Sequence, residues 1–138
     1  MNAPRLFALC AFAWLAGCGD TIHGAEYAEP AVREFRERMH QHQYEKIFDS
    51  SGDEFRAATP RAKGVALFEA VGRKLGELKN AKQINSGVNT NNGVTYATLV
   101  YDSTYDNGRA TETFTVKIDD GKGVLVGYNI SSLDMLIR

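Results

Sequence analysis

Three turn sequences in the second half of the chain constrain the fold more than any other feature. They are Asn92-Gly93, Asn107-Gly108 and Asp119-Asp120-Gly121, and they separate segments in which apolar and polar residues alternate. Asn-Gly and Asp-Gly pairs supply the positive φ angles of tight hairpin turns, whose twist matches that of the flanking strands. Three such turns in succession predict an antiparallel meander of four strands. The predicted strands cover residues 81–90, 93–105, 109–118 and 123–130.

The region before these strands has a helical period. A helix is expected to begin near Pro30, because proline suits the first helical turn, and to break around 41–43. Its inward stripe consists of Val32, Phe35, Arg36, Met39 and Gln43. Thr59-Pro60 predicts the start of a second helix, which runs to about residue 75. Helices grouped before antiparallel strands imply an α+β domain, with two N-terminal helices packed on one face of a curved four-stranded sheet.

The N-terminus is typical of a secretory signal. Arg5 precedes an unbroken apolar run over residues 6–16, which is too short for the roughly 20 residues of a membrane span. The run ends in Leu15-Ala16-Gly17-Cys18, which resembles a bacterial lipobox: small residues flank a cut that is made before an acylated cysteine. The resemblance implies that Cys18 carries a thioether-linked diacylglycerol and an amide-linked acyl chain such as palmitate, which anchor the protein in a membrane.

Cleavage before Cys18 leaves 121 residues without a free thiol, because Cys10 departs with the signal. A disulfide, a cysteine-ligated metal and a cysteine nucleophile are then excluded. Residues 1–17 are interpreted as the removed signal peptide, 18–29 as the lipidated cysteine with a flexible tether, and 30–138 as a single domain. In Gram-negative lipoproteins an aspartate directly after the cysteine favours the inner membrane. Gly19 holds that place, so the periplasmic face of the outer membrane is expected.

The charge balance argues against a nucleic-acid partner. Lys and Arg number 16 against 17 Asp and Glu, which gives a formal net charge of -1 for the whole chain. Loss of Arg5 with the signal makes the side-chain charge -2. No positive surplus is available to displace counterions from phosphates.

Five segments between residues 31 and 130 carry a family pattern. They are Tyr44-Glu45-Lys46-Ile47-Phe48-Asp49, Phe55-Arg56, Arg73-Lys74-Leu75-Gly76-Glu77-Leu78, Val100-Tyr101-Asp102-Ser103-Thr104-Tyr105 and Val126-Gly127-Tyr128. In these segments the chain resembles short bacterial lipoproteins with a small domain of unknown function. That domain is similar to the cone-shaped, nuclear-transport-factor-2-like (cystatin-like) α+β fold. The resemblance implies a curved sheet wrapped on helices, often around a pocket, and no particular activity.

Familiar catalytic and metal-binding patterns are missing from the sequence. His40 and His42 lie two residues apart and would face different sides of a helix, whereas a metal pair needs a spacing of four. Together with His23 they are interpreted as solvated surface residues. No serine lies in a Gly-x-Ser-x-Gly pattern, and no phosphate loop joins a strand to a helix. We therefore expect no metal and no cofactor.

One carboxyl group is a candidate pocket residue. Glu112 shares strand parity with Phe114 and Val116, so it is expected to point to the concave side of the sheet. A carboxyl group in an apolar pocket can move a proton. Steroid-isomerase-like relatives of the fold use such a group beside a tyrosine, and Tyr96 and Tyr128 are the candidates here. The alternative is that Glu112, near the start of a strand, is solvated or ion-paired.

The predicted strand over residues 93–105 carries large side chains on both of its faces. Either it is a central strand with both faces covered, or its outer face meets another protein through Tyr101 and Tyr105. The apolar chain end, residues 133–138, is expected to dock on the domain as a short strand or a turn of helix, with partner binding as the alternative.

Together these features predict a lipid-anchored, periplasm-facing, non-catalytic binding or adaptor domain. Its partner would be a protein or a second copy, in an envelope assembly or as an immunity-type inhibitor of a secreted toxin. The alternative is a small-ligand pocket protein or an isomerase-like enzyme that uses Glu112. A purely structural envelope lipoprotein is the third interpretation.

Overall fold

Four helices precede a four-stranded sheet and a fifth helix follows it, in a computed structural model that describes residues 23–138. The helices are α1 (His23–His40), α2 (Tyr44–Asp49), α3 (Asp53–Ala58), α4 (Arg61–Leu75) and α5 (Leu133–Ile137). The strands are β1 (Leu78–Asn91), β2 (Val94–Tyr105), β3 (Gly108–Asp119) and β4 (Lys122–Ser131). The signal segment and the lipobox residues Leu15, Ala16, Gly17 and Cys18 lie outside the described residues. None of the helices in the described part is long and apolar enough to cross a membrane.

The sheet is the predicted antiparallel meander, open at both sides, with strand order β1-β2-β3-β4. Two of the connecting turns have the backbone angles that their sequences predict. Asn92 and Gly93 have φ of 51° and 78°, and Asp120 and Gly121 have φ of 47° and 71°. Consecutive positive φ angles define the type I′ hairpin turn. At the third turn Gly108 has a positive φ of 159° and Asn107 does not have one. Local turn chemistry therefore specifies two of the three connections in this half of the chain.

The prediction of two N-terminal helices is wrong, because four helices precede the sheet within residues 23–138. The expected break at 41–43 is confirmed, since α1 ends at His40 and α2 begins at Tyr44. A short helix, α3, follows the loop after α2. The end of the next helix at Leu75 is also confirmed.

The expected start of the first helix near Pro30 is wrong as well. α1 begins at His23, and Pro30 lies inside it, so residues 23–29 are helical and not part of a flexible tether. The physical reason is a buried stripe that continues N-terminally at helical spacing. Ala28 and Val32 are 0% and 2% exposed, and the buried Gly24 lies one turn before Ala28. Packing of this stripe on the sheet outweighs the cost of an internal proline.

The N-terminal half of α1 lies very close to both edge strands. A Cβ atom at Gly24 would come within 2.6 Å of Val88 Cγ2 on β1. A Cβ atom at Gly123 on β4 would come within 2.5 Å of the backbone oxygen of Tyr27. Glycine at these two positions is therefore what allows the helix to lie across the inner face of the sheet.

Aromatic side chains form the centre of the core between α1, α4 and the sheet. The ring of Phe35 on α1 meets three others, with centroid distances of 5.6 Å to Phe68, 5.1 Å to Phe114 and 4.7 Å to Tyr128. The Phe68 and Phe114 contacts are edge-to-face, the arrangement that the ring quadrupoles favour. Phe35 thus joins the helical layer to the middle of the sheet.

The chain end docks as a short helix, one of the two expected alternatives. The hydroxyl of Ser132 caps α5 by accepting a hydrogen bond from Met135 N at 3.3 Å. Asp134 accepts from the backbone N–H of Arg109 at 2.9 Å, and Lys74 donates to the carbonyl of Met135 at 2.7 Å. These contacts hold α5 against β3 and α4.

Replacing Phe35 with alanine should lower the free energy of unfolding by roughly 3–5 kcal/mol, because the change removes three ring contacts and leaves a cavity. Urea unfolding followed by circular dichroism measures the loss. Leu136→Ala is the control, since this side chain is 82% exposed and its removal should cost less than about 0.5 kcal/mol. Equal losses in the two variants would contradict the packing described above.

Candidate functional site

A buried carboxyl group lies in the middle of the inner face of the sheet. Glu112 on β3 is 1% exposed. The hydroxyl of Ser103 on β2 donates a hydrogen bond to its Oε2 at 2.5 Å, and the hydroxyl of Tyr128 on β4 donates to its Oε1 at 2.7 Å. Each neighbouring strand therefore supplies one donor, and both carboxyl oxygens have a partner.

The cation that faces this carboxyl group comes from α1. Arg36 Nη2 lies 4.0 Å from Glu112 Oε2. The guanidinium group stacks over the ring of Tyr101 at 4.3 Å from its centroid and lies 5.8 Å from that of Phe114. Stacking of this kind is worth about 2 kcal/mol when the cation is desolvated. It holds the guanidinium flat against β2.

Two nitrogen atoms of Arg36, Nε and Nη2, are buried and have no hydrogen-bond acceptor. A buried donor without an acceptor costs about 1–3 kcal/mol, so nearly all such groups in proteins are satisfied. The side chain as a whole is 25% exposed, however. The two unsatisfied donors are therefore enclosed by the protein, whereas the accessible part of the side chain offers positive charge to its surroundings.

Two tyrosines close to the carboxyl group, Tyr128 and Tyr105, are neutral. Burial raises the pKa of Tyr128 well above its ordinary value, and the negative charge of Glu112 raises it further. Burial followed by the charge of Glu112 raises the pKa of Tyr105 in the same way. Both phenols therefore stay protonated at physiological pH.

A cleft of about 470 Å³ opens between α1, the end of α4 and strands β1 and β2. Arg36, Tyr101 and Tyr105 line it, whereas Glu112 does not and lies behind Arg36. The apolar side chains of the lining are Val32, Phe35, Met39 and Leu78. Its other charged or titratable side chains are Glu29, Arg33, Glu37, His40, His42 and Glu77. The volume and the mixed lining are typical of a small-molecule site.

The structure brings together two of the three predicted pocket residues and separates the third. Glu112 and Tyr128 are hydrogen-bonded, as described. Tyr96 lies on the opposite face of the sheet, because it pairs with Lys117 in the β2–β3 register. Lys117 binds the carboxylate of Glu54 at 2.8 Å, on α3. Tyr96 is therefore remote from the buried carboxyl group.

The suggested interface through Tyr101 and Tyr105 needs correction. Both side chains point to the inner face and are only 7% and 9% exposed. The physical reason is parity: they alternate with the outer residues of β2 and share their side with the fully buried Ala97 and Leu99. They form a wall of the cleft and not an external surface.

Two residues of the site, Arg36 and Ser103, were not predicted as site residues. Arg36 had a visible signal, since a charged side chain within the apolar stripe of a helix requires a buried partner. Ser103 has the same parity as Tyr101 and Tyr105 on β2. Its role depends on the register that places it beside Glu112, and this register is a tertiary feature.

The histidines at the rim of the cleft converge on one carboxylate. His40 Nδ1 lies 2.8 Å from Glu77 Oε2, and His42 Nε2 lies 4.0 Å from Glu77 Oε1. Both histidines are exposed, with 71% and 66% of the side chain accessible. Within residues 23–138, no group of three or more His, Cys, Asp or Glu side chains is arranged to hold a metal ion.

No protein-family model matches the chain, and no curated protein matches it in a sequence search.

The pair formed by His40 and Glu77 should give the cleft rim a measurable pH dependence. The hydrogen bond to Glu77, together with its charge, raises the pKa of His40 above 6.5. The stabilisation is therefore complete below pH 6.5 and is lost as the pH rises through the higher, folded-state pKa. An NMR titration of the imidazole signals measures this pKa.

In Glu77→Gln the pKa of His40 should fall back towards its ordinary value, because the charge that stabilises the imidazolium is gone. Glu45→Gln serves as the matched control, since Glu45 lies 3.7 Å from Arg61 and outside the cleft lining. A His40 pKa that is the same in the native chain and in Glu77→Gln would contradict the pairing.

Proposed function

We propose that the chain is a lipid-anchored protein of the bacterial cell envelope, at the periplasmic face of the outer membrane, whose domain binds a small ligand without transforming it. The observation that carries the binding function is Arg36, a partly exposed cation in the wall of the cleft. The ligand has an anionic group that reaches the guanidinium and an apolar body that covers Met39 and Leu78.

The fold proposed for this domain is the cone-like, nuclear-transport-factor-2-like arrangement. Helices that cover one face of an open antiparallel sheet, with a cleft between them, support it. Register shifts at Gln83/Asn85 in β1 and at Thr115/Val116 between β3 and β4 also support it, since bulges bend strands and increase their twist.

The geometry favours binding over the isomerase-like alternative. A general acid or base has to reach its substrate within hydrogen-bond distance. Glu112 does not line the cleft, and both of its oxygens already accept hydrogen bonds from Ser103 and Tyr128. In the proposed function, Glu112 pairs with Arg36 from outside the cleft and keeps its guanidinium in position.

A protein partner is the second candidate, favoured by the apolar side chains of α5. Leu133, Leu136 and Ile137 are 71%, 82% and 72% exposed. α5 contacts the sheet at Gly108, which pairs with Tyr105 on β2. The start of α1 contacts Val88, which pairs with Ala97 on the same strand. α5 and the start of α1 therefore lie about 25 Å apart along the strands. On an anchored chain, α5 would face away from the membrane.

Octanoate is a suitable probe for the proposed cleft, with octan-1-ol and octylamine as the neutral and cationic comparisons. The chain should bind octanoate most tightly in isothermal titration calorimetry. Replacement of Arg36 by methionine should weaken octanoate binding by roughly 10- to 100-fold, because a hydrogen bond to a charged group is worth about 1.5–3 kcal/mol. Glu112→Gln should strengthen binding, since it removes a negative charge behind Arg36.

Two controls keep this result interpretable. Arg36→Met/Glu112→Gln removes both buried charges together, so that lost binding is not a consequence of an unpaired buried carboxylate. Arg61→Met removes an arginine that binds Asp49 on the surface, and it should leave binding unchanged. Equal affinity for octanoate and octan-1-ol, or native affinity in Arg36→Met, would contradict the proposed site.

The proposed anchor predicts incorporation of radiolabelled palmitate into the chain in a Gram-negative host. Cys18→Ala should abolish the labelling, because Cys18 alone provides the acylated N-terminus of the processed chain. Cys10→Ala is the matched control and should be labelled normally, since residue 10 leaves with the signal. Labelling that persists in Cys18→Ala, or is lost in Cys10→Ala, would contradict the anchor.

A further inference from the structure

The two edges of the sheet are protected to different degrees. At the β4 edge, Gly52 N donates a hydrogen bond to the carbonyl of Leu125 at 2.7 Å, and Tyr27 of α1 lies against Gly123. At the other edge, no strand among residues 23–138 pairs with the free side of β1. Residues 82–87 and 89–91 of this strand are exposed. Its backbone groups on that side are available to another strand.

The second half of β1 lacks the features that keep sheet edges apart. The first half has two register shifts, at Leu78/Asn80 and Gln83/Asn85, and two positive charges, Lys79 and Lys82. Bulges and lysines are common devices against edge-to-edge pairing. Residues 85–91, Asn-Ser-Gly-Val-Asn-Thr-Asn, contain no charge, no proline and no register shift. We call this segment the open edge.

We propose that the open edge pairs with the open edge of a second copy of this chain, so that two sheets join into one of eight strands. Antiparallel pairing about Val88 sets residue 85 of one copy opposite residue 91 of the other. Lys82 and Lys79 then lie beyond the paired segment and do not face their counterparts. No like charges therefore oppose the pairing of two such segments, and the backbone of each supplies both donors and acceptors.

The position of α1 makes this pairing compatible with a membrane anchor on each copy. Antiparallel strands are related by a two-fold axis perpendicular to the sheet, so the inner faces of both copies lie on the same side. Gly24, next to Val88, brings the start of α1 close to this axis. The starts of both α1 helices therefore lie on the same side, and confinement of two anchored copies to one membrane, as the proposed function has it, raises the effective concentration of the second copy.

Opposite charges on the open edge test the pairing. Asn85 and Asn89 are exposed, and they face Val100 and Tyr96 on the outer side of β2, away from the core and the cleft. One variant carries Asn85→Lys/Asn89→Lys and another Asn85→Glu/Asn89→Glu. Sedimentation equilibrium of the full-length chain in a density-matched detergent measures the dimer. Asn129→Lys on the outer side of β4 is the control.

The native chain and Asn129→Lys should form a dimer with the same dissociation constant. Each doubly charged variant should dimerise at least about 10-fold more weakly on its own, because like charges meet across the axis, and an equal mixture of the two should recover the native affinity. Three results would each overturn the proposal. They are a native chain that stays monomeric up to about 200 µM, a dimer that both charged variants retain, and a mixture that fails to recover. None of them bears on octanoate binding in the cleft.

Discussion

The burial of Glu112 is the constraint on which the arrangement of the helices depends. A carboxyl group in the middle of a sheet face has to be hydrogen-bonded and neutralised, because an isolated buried charge costs several kcal/mol. Ser103 and Tyr128 supply the hydrogen bonds from the sheet itself, and Arg36 supplies the positive charge from α1. The helix must therefore present Arg36 to the sheet, which fixes its rotation about its own axis.

This rotation determines what the cleft can bind. With Arg36 turned to the sheet, Val32 and Met39, one turn away on either side, line the same cleft. Tyr101 holds the guanidinium by stacking, so little conformational entropy is lost when an anion binds to it. The carboxylate behind Arg36 also reduces the net attraction for any anion. Selectivity then depends on the apolar body of the ligand as well as on its charge.

The parts of the fold that were predictable from the sequence are those that local chemistry specifies. Asn92-Gly93 and Asp120-Gly121 determine their turns through backbone angles alone, and all four strands lie within three residues of their predicted bounds. The start of α1 was not predictable in this way. Local rules place Pro30 in a first helical turn, whereas the contact of Gly24 with Val88, 64 positions later in the chain, extends the helix to residue 23.

The candidate site, too, was predictable only in the part that local sequence specifies. Strand parity alone predicts that Glu112 points inward and stands beside other inner residues. Parity cannot decide between Tyr96 and Tyr128, because the choice depends on which face of a neighbouring strand meets β3. Bulges complicate the choice further, since the register between β3 and β4 shifts at Thr115/Val116. That shift is what sets Tyr128 opposite Phe114 and within reach of Glu112.

The mixed charges of the cleft favour one class of anion over another. Glu29, Glu37 and Glu77 line the cleft together with Arg33 and Arg36, so a small inorganic anion is only weakly attracted to it. An anion with a hydrocarbon body binds more tightly, because each buried CH₂ group contributes about 0.8 kcal/mol. The lining thus favours an amphiphile over free phosphate or acetate. The apolar lining and the buried charge pair are therefore parts of one recognition mechanism.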